Sequence, residues 1–152
     1  MVEKMNILIA YISMTGRNKK IAEHLADYLE EHNADVTLEQ MIDTDAFDLD
    51  SYDAVIIETY TYNDGEVPDE AKDFYDDLED VDLKRTKFAV LGSSSKEHLH
   101  FGRAVDYFTM RLNSSNGEQV SDSVKIDQDP NEDDFKRVDQ LGNYVLKSLN
   151  KD

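Results

Sequence analysis

Asn6-Ile7-Leu8-Ile9-Ala10-Tyr11-Ile12 runs directly into Ser13-Met14-Thr15-Gly16-Arg17-Asn18, and the fold follows from reading the two pieces together. The first is apolar from Ile7 to Ile12 without alternation, as a strand covered on both faces must be. The second is a short polar turn with one glycine, and from Lys19 onward the apolar residues fall at helical spacing. A strand, a small turn and a helix start together make a ready anion site. The first N–H groups of the helix lack partners within it, and the helix dipole favours negative charge there. Ser13, Thr15 and Asn18 bring side-chain donors and Arg17 brings charge. The competing reading is an ordinary strand-to-helix turn capped by Thr15 or Asn18.

Outward from this stretch the same alternation repeats. A helix is expected over 19–32, with Ile21, Leu25, Tyr28 and Leu29 inward, then a weakly alternating edge strand over 35–41. Residues 43–50 are acidic and irregular. A second buried strand is expected over 53–59. It feeds a polar loop from Tyr60 to Val67, with Pro68 suited to the first turn of the next helix. The third buried strand is 88–92, followed by a loop from Ser93 to His100 and a helix from about Phe101. An unbroken fifth strand is expected over 119–127 and a last helix over 132–149. Strands alternating with helices predict a single-domain α/β fold over 1–152, an open five-stranded parallel sheet with helices on both faces. In such sheets ligands sit beyond the carboxyl ends of the strands, which directs attention to 13–18, 59–67 and 92–100.

Composition narrows the function. The 152 residues carry 34 acidic side chains against 16 Lys and Arg, a formal net charge of −18. That balance argues against nucleic acid or an anionic membrane as partner and suits docking on a basic patch of another protein. Without cysteine there is no disulfide, thiol chemistry or cysteine-ligated metal. No apolar run approaches the ~20 residues of a membrane span, so a cytoplasmic location is expected.

The middle loop supplies a family resemblance. Thr59-Tyr60-Thr61-Tyr62-Asn63-Asp64-Gly65-Glu66-Val67-Pro68-Asp69-Glu70, with Asp73-Phe74-Tyr75-Asp76-Asp77-Leu78 after it, resembles a bacterial flavodoxin. Ser13-Met14-Thr15-Gly16 resembles the flavodoxin phosphate loop. Gly92-Ser93 with Ala104-Val105-Asp106, and Ser123-Val124-Lys125-Ile126, resemble the family's later segments. The uninterrupted fifth strand resembles the short-chain form.

The resemblance implies strand order 2-1-3-4-5 and non-covalently bound FMN. Ser13, Thr15, Gly16 and Asn18 would hold its phosphate, with the backbone of Met14 and Arg17. Tyr62 would stack on the outer flavin face; taken alone, a loop tyrosine packs on its own protein. Thr59, Tyr60, Thr61, Asp64 and Gly65 would complete that loop. Asn63 stands where the family prefers Gly, at a peptide that flips when the ring is reduced by one electron. Ser93, Ser94 and Ser95 would form the second flavin loop, with Ser94-Ser95 in place of the usual Gly-Asp and Ser95 at the pyrimidine edge. His98 stands in place of a tyrosine over the other flavin face.

The function implied is a low-potential one-electron carrier, a monomer that shuttles between a reductase donor and an acceptor enzyme and has no catalytic residue of its own. Two alternatives of other classes stay open. One is an FMN-dependent quinone or azo reductase, which needs a roomier pocket. The other is a flavodoxin-like binding domain in which Ser94, Ser95 and His98 mark weakened or lost FMN binding. A phospho-receiver would want acidic residues after the first strand, where Ser13-Met14 stand.

Overall fold

The computed structural model describes residues 4–12, 16–61, 67–95 and 101–150. The chain alternates β1 (Met5–Tyr11), α1 (Arg17–Glu31), β2 (Ala34–Gln40), β3 (Ala54–Tyr60), α2 (Lys72–Asp77), β4 (Lys87–Ser94) and α3 (Arg103–Ser114). It closes with β5 (Glu118–Gln119), β6 (Val124–Asp127) and α4 (Glu132–Leu149). The acidic segment after β2 holds two short 3-10 turns, Met41–Asp43 and Ala46–Ser51. Two more, Asp69–Ala71 and Leu78–Asp80, flank α2.

All strand pairings are parallel, in the order β2-β1-β3-β4-β5, with β6 also on β4. Side chains alternate across the sheet and divide the core into two layers. Ile7, Ile9 and Tyr11 of β1 pack with Ile21, Leu25 and Leu29 of α1 and Val138, Leu141 and Val145 of α4. Leu8, Ala10 and Ile12 pack on the other side with Phe74, Phe108 and Leu112 of α2 and α3. The continuous apolar runs are thus strands covered twice. α4 begins at a capping box in which Asn131 and Asp134 each accept from the other's backbone N–H.

Two expectations are corrected. The fifth strand is interrupted: from Gln119 to Val124 the edge advances five residues while β4 advances three, from Phe88 to Leu91. The surplus is taken up by hydroxyl and amide side chains that make local bonds. Gln119 Nε2 donates to the Ser121 carbonyl, Ser121 Oγ donates to the Asp122 carbonyl, and Ser123 Oγ bonds Thr109 Oγ1 at 2.7 Å. The ends of the inner strands also lie further along than expected. Tyr60 belongs to β3, and Ser93 and Ser94 belong to β4, because Ser93 and Ser94 find ladder partners in Ile126 and Asp127 of β6.

Candidate functional site at the strand carboxyl ends

Strand order reverses between β1 and β3, and their carboxyl ends form the crevice where a doubly wound sheet takes ligands. Ser13, Met14, Thr15, Tyr62, Asn63, Asp64, Gly65 and His98 lie outside the described residues. Of the remaining expected site residues, the structure places three groups at this end of the sheet. Arg17 and Asn18 start α1 behind the N-cap Gly16, Thr59 and Tyr60 end β3 with Thr61 next, and Ser93 and Ser94 end β4 with Ser95 next.

The start of α1 is shaped for an anion. Gly16 takes φ 86°, a left-handed conformation that favours glycine, and open space surrounds the position a Cβ would occupy. The first turn holds no acid and contains Arg17, Asn18 and Lys19, with Lys20 next. α4 is the reverse, with Glu132, Asp133 and Asp134 in its first turn. In so acidic a chain, a cationic helix start leaves the dipole's positive end for a ligand. Arg17 is steadied by Asp129, whose Oδ1 accepts from Nε at 3.1 Å.

Asn18 serves the turn from beneath. Its side chain is buried: Nδ2 donates to the Ile12 carbonyl at 2.9 Å, and Oδ1 accepts from Ser93 Oγ at 2.8 Å. It ties the ends of β1 and β4 to α1, so its side chain is a strut and its backbone N–H belongs to the helix start. The other strand ends are similarly joined. Thr61 N donates to the Ser93 carbonyl at 3.2 Å, and Thr61 Oγ1 accepts from Ala104 N at 3.2 Å at the start of α3. At Gly92 a Cβ would stand 2.1 Å from the Thr59 carbonyl oxygen, so glycine is needed for this approach.

Among the described residues, two buried side-chain groups at this end lack partners. Ser94 Oγ has none, although Ser94 is only 6% exposed, an orphan hydroxyl beside Ser95 at the end of β4. The other is Glu58, fully buried, with neither carboxyl oxygen hydrogen-bonded. Burial pushes its carboxyl well above the ordinary carboxylate range. Glu58 was not among the residues expected to serve the site. The signal was present, a lone carboxylate after Ala54-Val55-Ile56-Ile57 in a strand read as covered on both faces. A cleft of about 350 Å³ opens beside the crevice, lined by Tyr11, Ile12, Met41, Ile42, Tyr60 and Glu70 among others. Among the described residues, no group of His, Asp and Glu could hold a metal ion.

These residues fit a flavin nucleotide: a cationic helix start with no acid in its first turn for the phosphate, and at the end of β4 a buried hydroxyl able to meet a polar ring edge. Known proteins similar in sequence and fold include flavodoxins. The flavodoxin family model matches residues 9–139. "Probable flavodoxin 1" of Bacillus subtilis (strain 168) is 35% identical, over 84% of this chain and 80% of the relative. The solved structure of a short-chain flavodoxin associated with a PDU bacterial microcompartment superposes with a TM-score of 0.91 at 30% identity, covering 97% of this chain and 100% of that one. A Streptococcus pneumonia TIGR4 flavodoxin gives a TM-score of 0.91 at 37% identity, over 93% and 98% of the two chains. With its parallel sheet in the order β2-β1-β3-β4-β5 and a match spanning most of its length, the chain belongs to the flavodoxin family.

Proposed function

We infer that this protein is an electron carrier that binds FMN non-covalently and passes electrons to and from redox partner proteins. FMN, when bound, takes up and gives up electrons one at a time; the chain supplies binding, orientation and electrostatics. The observation that carries the reading is the cationic, acid-free start of α1 at the reversal of strand order. There the N–H groups of Gly16, Arg17 and Asn18 would hold the phosphate, joined by Ser13, Met14 and Thr15. Thr59, Tyr60 and Thr61, with Tyr62, Asn63, Asp64 and Gly65, would line one side of the ring. Ser93, Ser94 and Ser95 would meet its polar edge, the orphan Ser94 hydroxyl gaining a partner, and His98 would cover the second face.

Among the described residues no helix is long and apolar enough to cross a membrane. The net charge of −18 supports docking on basic patches of a donor reductase and an acceptor, with the chain acting as a single-domain monomer. Calorimetric titration with FMN and riboflavin tests the reading. One FMN per chain is expected, bound far more tightly than riboflavin, since each charge-assisted bond to phosphate is worth about 1.5–3 kcal/mol. Equal affinities would remove the phosphate assignment.

A further inference from the structure

Under the start of α1, Asn18 and Ser93 are paired with each other and Glu58 is not. Glu58 is the one buried ionisable carboxyl among the described residues, and both of its oxygens are without partners. Its direction follows from register. Tyr11 of β1 and Leu91 of β4 are its neighbours across the sheet, and both lie in the layer packed by α1 and α4. In-register neighbours in a parallel sheet share a face, so Glu58 points into that layer. It lies at the α1 end. Its carbonyl accepts from Ile12 N at 3.0 Å, and the Ile12 carbonyl accepts from Asn18 Nδ2 in the first turn of the helix.

Among the described residues, the surroundings offer this carboxyl no counter-charge. On β1 the titratable neighbour is Tyr11; on β4 the neighbours are Leu91 and Ser93, and on β6 Val124 and Ile126. On α1, Asn18 is neutral and already bonded, Arg17 is paired with Asp129, and Lys19 and Lys20 are exposed. Further along, His24 of α1 and Asp139 of α4 are paired with each other at 2.7 Å. An anion arriving on the α1 N–H groups is thus a like charge set over an uncompensated carboxyl in a poorly screened interior.

We propose that Glu58 is a positioning residue of the phosphate subsite, a buried carboxyl beneath the first turn of α1 that is held neutral when an anion occupies that turn, so that binding of a flavin phosphate is coupled to uptake of a proton wherever Glu58 is ionised in the empty protein. The inference rests on the reading of that turn as the phosphate site. The step is balanced: a buffer proton joins the Glu58 carboxylate as the phosphate enters, and the same proton returns to buffer on release. Affinity for the phosphate ester therefore falls as pH rises through the range in which Glu58 of the empty protein ionises. Loading moves that range upward. A shift of one pH unit between empty and loaded protein is a tenfold change in affinity.

The test is calorimetry of the native chain and Glu58→Gln with FMN and with riboflavin, in buffers of differing ionisation enthalpy, over about pH 5.5 to 9. Glutamine keeps the shape and cannot titrate, and subtracting the two proteins cancels the phosphate's own ionisation near pH 6. The native chain should take up protons on FMN binding that Glu58→Gln does not. Its dissociation constant should rise about tenfold relative to the variant across the range, with no such difference for riboflavin. Superimposable FMN curves, or the same difference with riboflavin, would overturn the proposal while leaving the phosphate reading standing. If the native chain binds FMN and riboflavin equally, the phosphate reading falls and the proposal with it. Infrared difference spectra of the native chain alone give a second readout independent of the variant's folding. A protonated carboxyl band should grow on FMN addition at the pH values where the carboxyl of the empty chain is ionised, and a flat carboxyl region across the whole range would count against the coupling.

Discussion

Glu58 costs the fold stability that grows with pH. Its carboxyl titrates above the ordinary range in the folded chain, whereas in the unfolded chain it ionises near pH 4.3. Below that value both states hold the proton, and only the pH-independent cost of burying an unpaired carboxyl remains. As pH rises toward the folded-state range, ionisation stabilises only the unfolded chain, and stability is lost at up to about 1.4 kcal/mol per pH unit. Glu58→Gln should therefore match the native chain in stability near pH 4 and exceed it progressively at higher pH, as urea unfolding across pH would reveal; a constant difference would mean that Glu58 finds a partner. Asn18→Ala removes two bonds and strands Ser93 Oγ and the Ile12 carbonyl, a loss of about 1–3 kcal/mol with weaker FMN binding, measurable by thermal unfolding and flavin fluorescence. Sequence alone could suggest Asn18 as a polar group at the turn. It could not show that the side chain faces inward, because that depends on Ser93, a residue 75 positions away.

At the scale of elements, the ends of β3 and β4 are held close by Gly92. Gly92→Ala would drive a methyl into the Thr59 carbonyl and the Val105 side chain, and the carbonyl lies in a strand paired on both sides. The expected cost is about 1–3 kcal/mol or more, together with weaker FMN affinity as Ser93 and Ser94 shift. Asn131→Ala should cost about 1 kcal/mol through its cap, with a smaller effect on FMN affinity, since Asn131 reaches the crevice only through Asp129 two residues before it, which holds Arg17. Parallel denaturant and flavin titrations separate the two variants. The buried strands were legible because an apolar run such as Ile7–Ile12 has few other uses, and α4 was legible because acids mark its start and Lys147 its end. The length of β4 was not, since it is set by where β6 lies beside it. The interruption after Gln119 was hidden for a different reason: Ser121, Asp122 and Ser123 read as plain polar residues until their local bonds are seen.

For the whole molecule, charge governs behaviour in solution. With a net charge of −18, self-repulsion should lower the thermal midpoint at about 10 mM salt relative to about 150 mM, as the screening length falls from about 30 to 8 Å. Association with a basic redox partner should slow over the same interval, so stability and docking respond to salt in opposite directions. Calorimetric scans and stopped-flow mixing measure the two; a midpoint indifferent to salt would mean that local ion pairs offset the repulsion. An open parallel sheet also presents bare backbone at its margins, a template on which another copy can add a strand. On the α4 side, the two-residue surplus between Gln119 and Val124 denies that template a straight run. Deleting Ser121 and Asp122 would bring the two pieces into one register with β4. Such a variant should associate with rising concentration in sedimentation experiments while the native chain does not. If it stays monomeric, the kink is dispensable and charge alone keeps the sheets of neighbouring molecules apart.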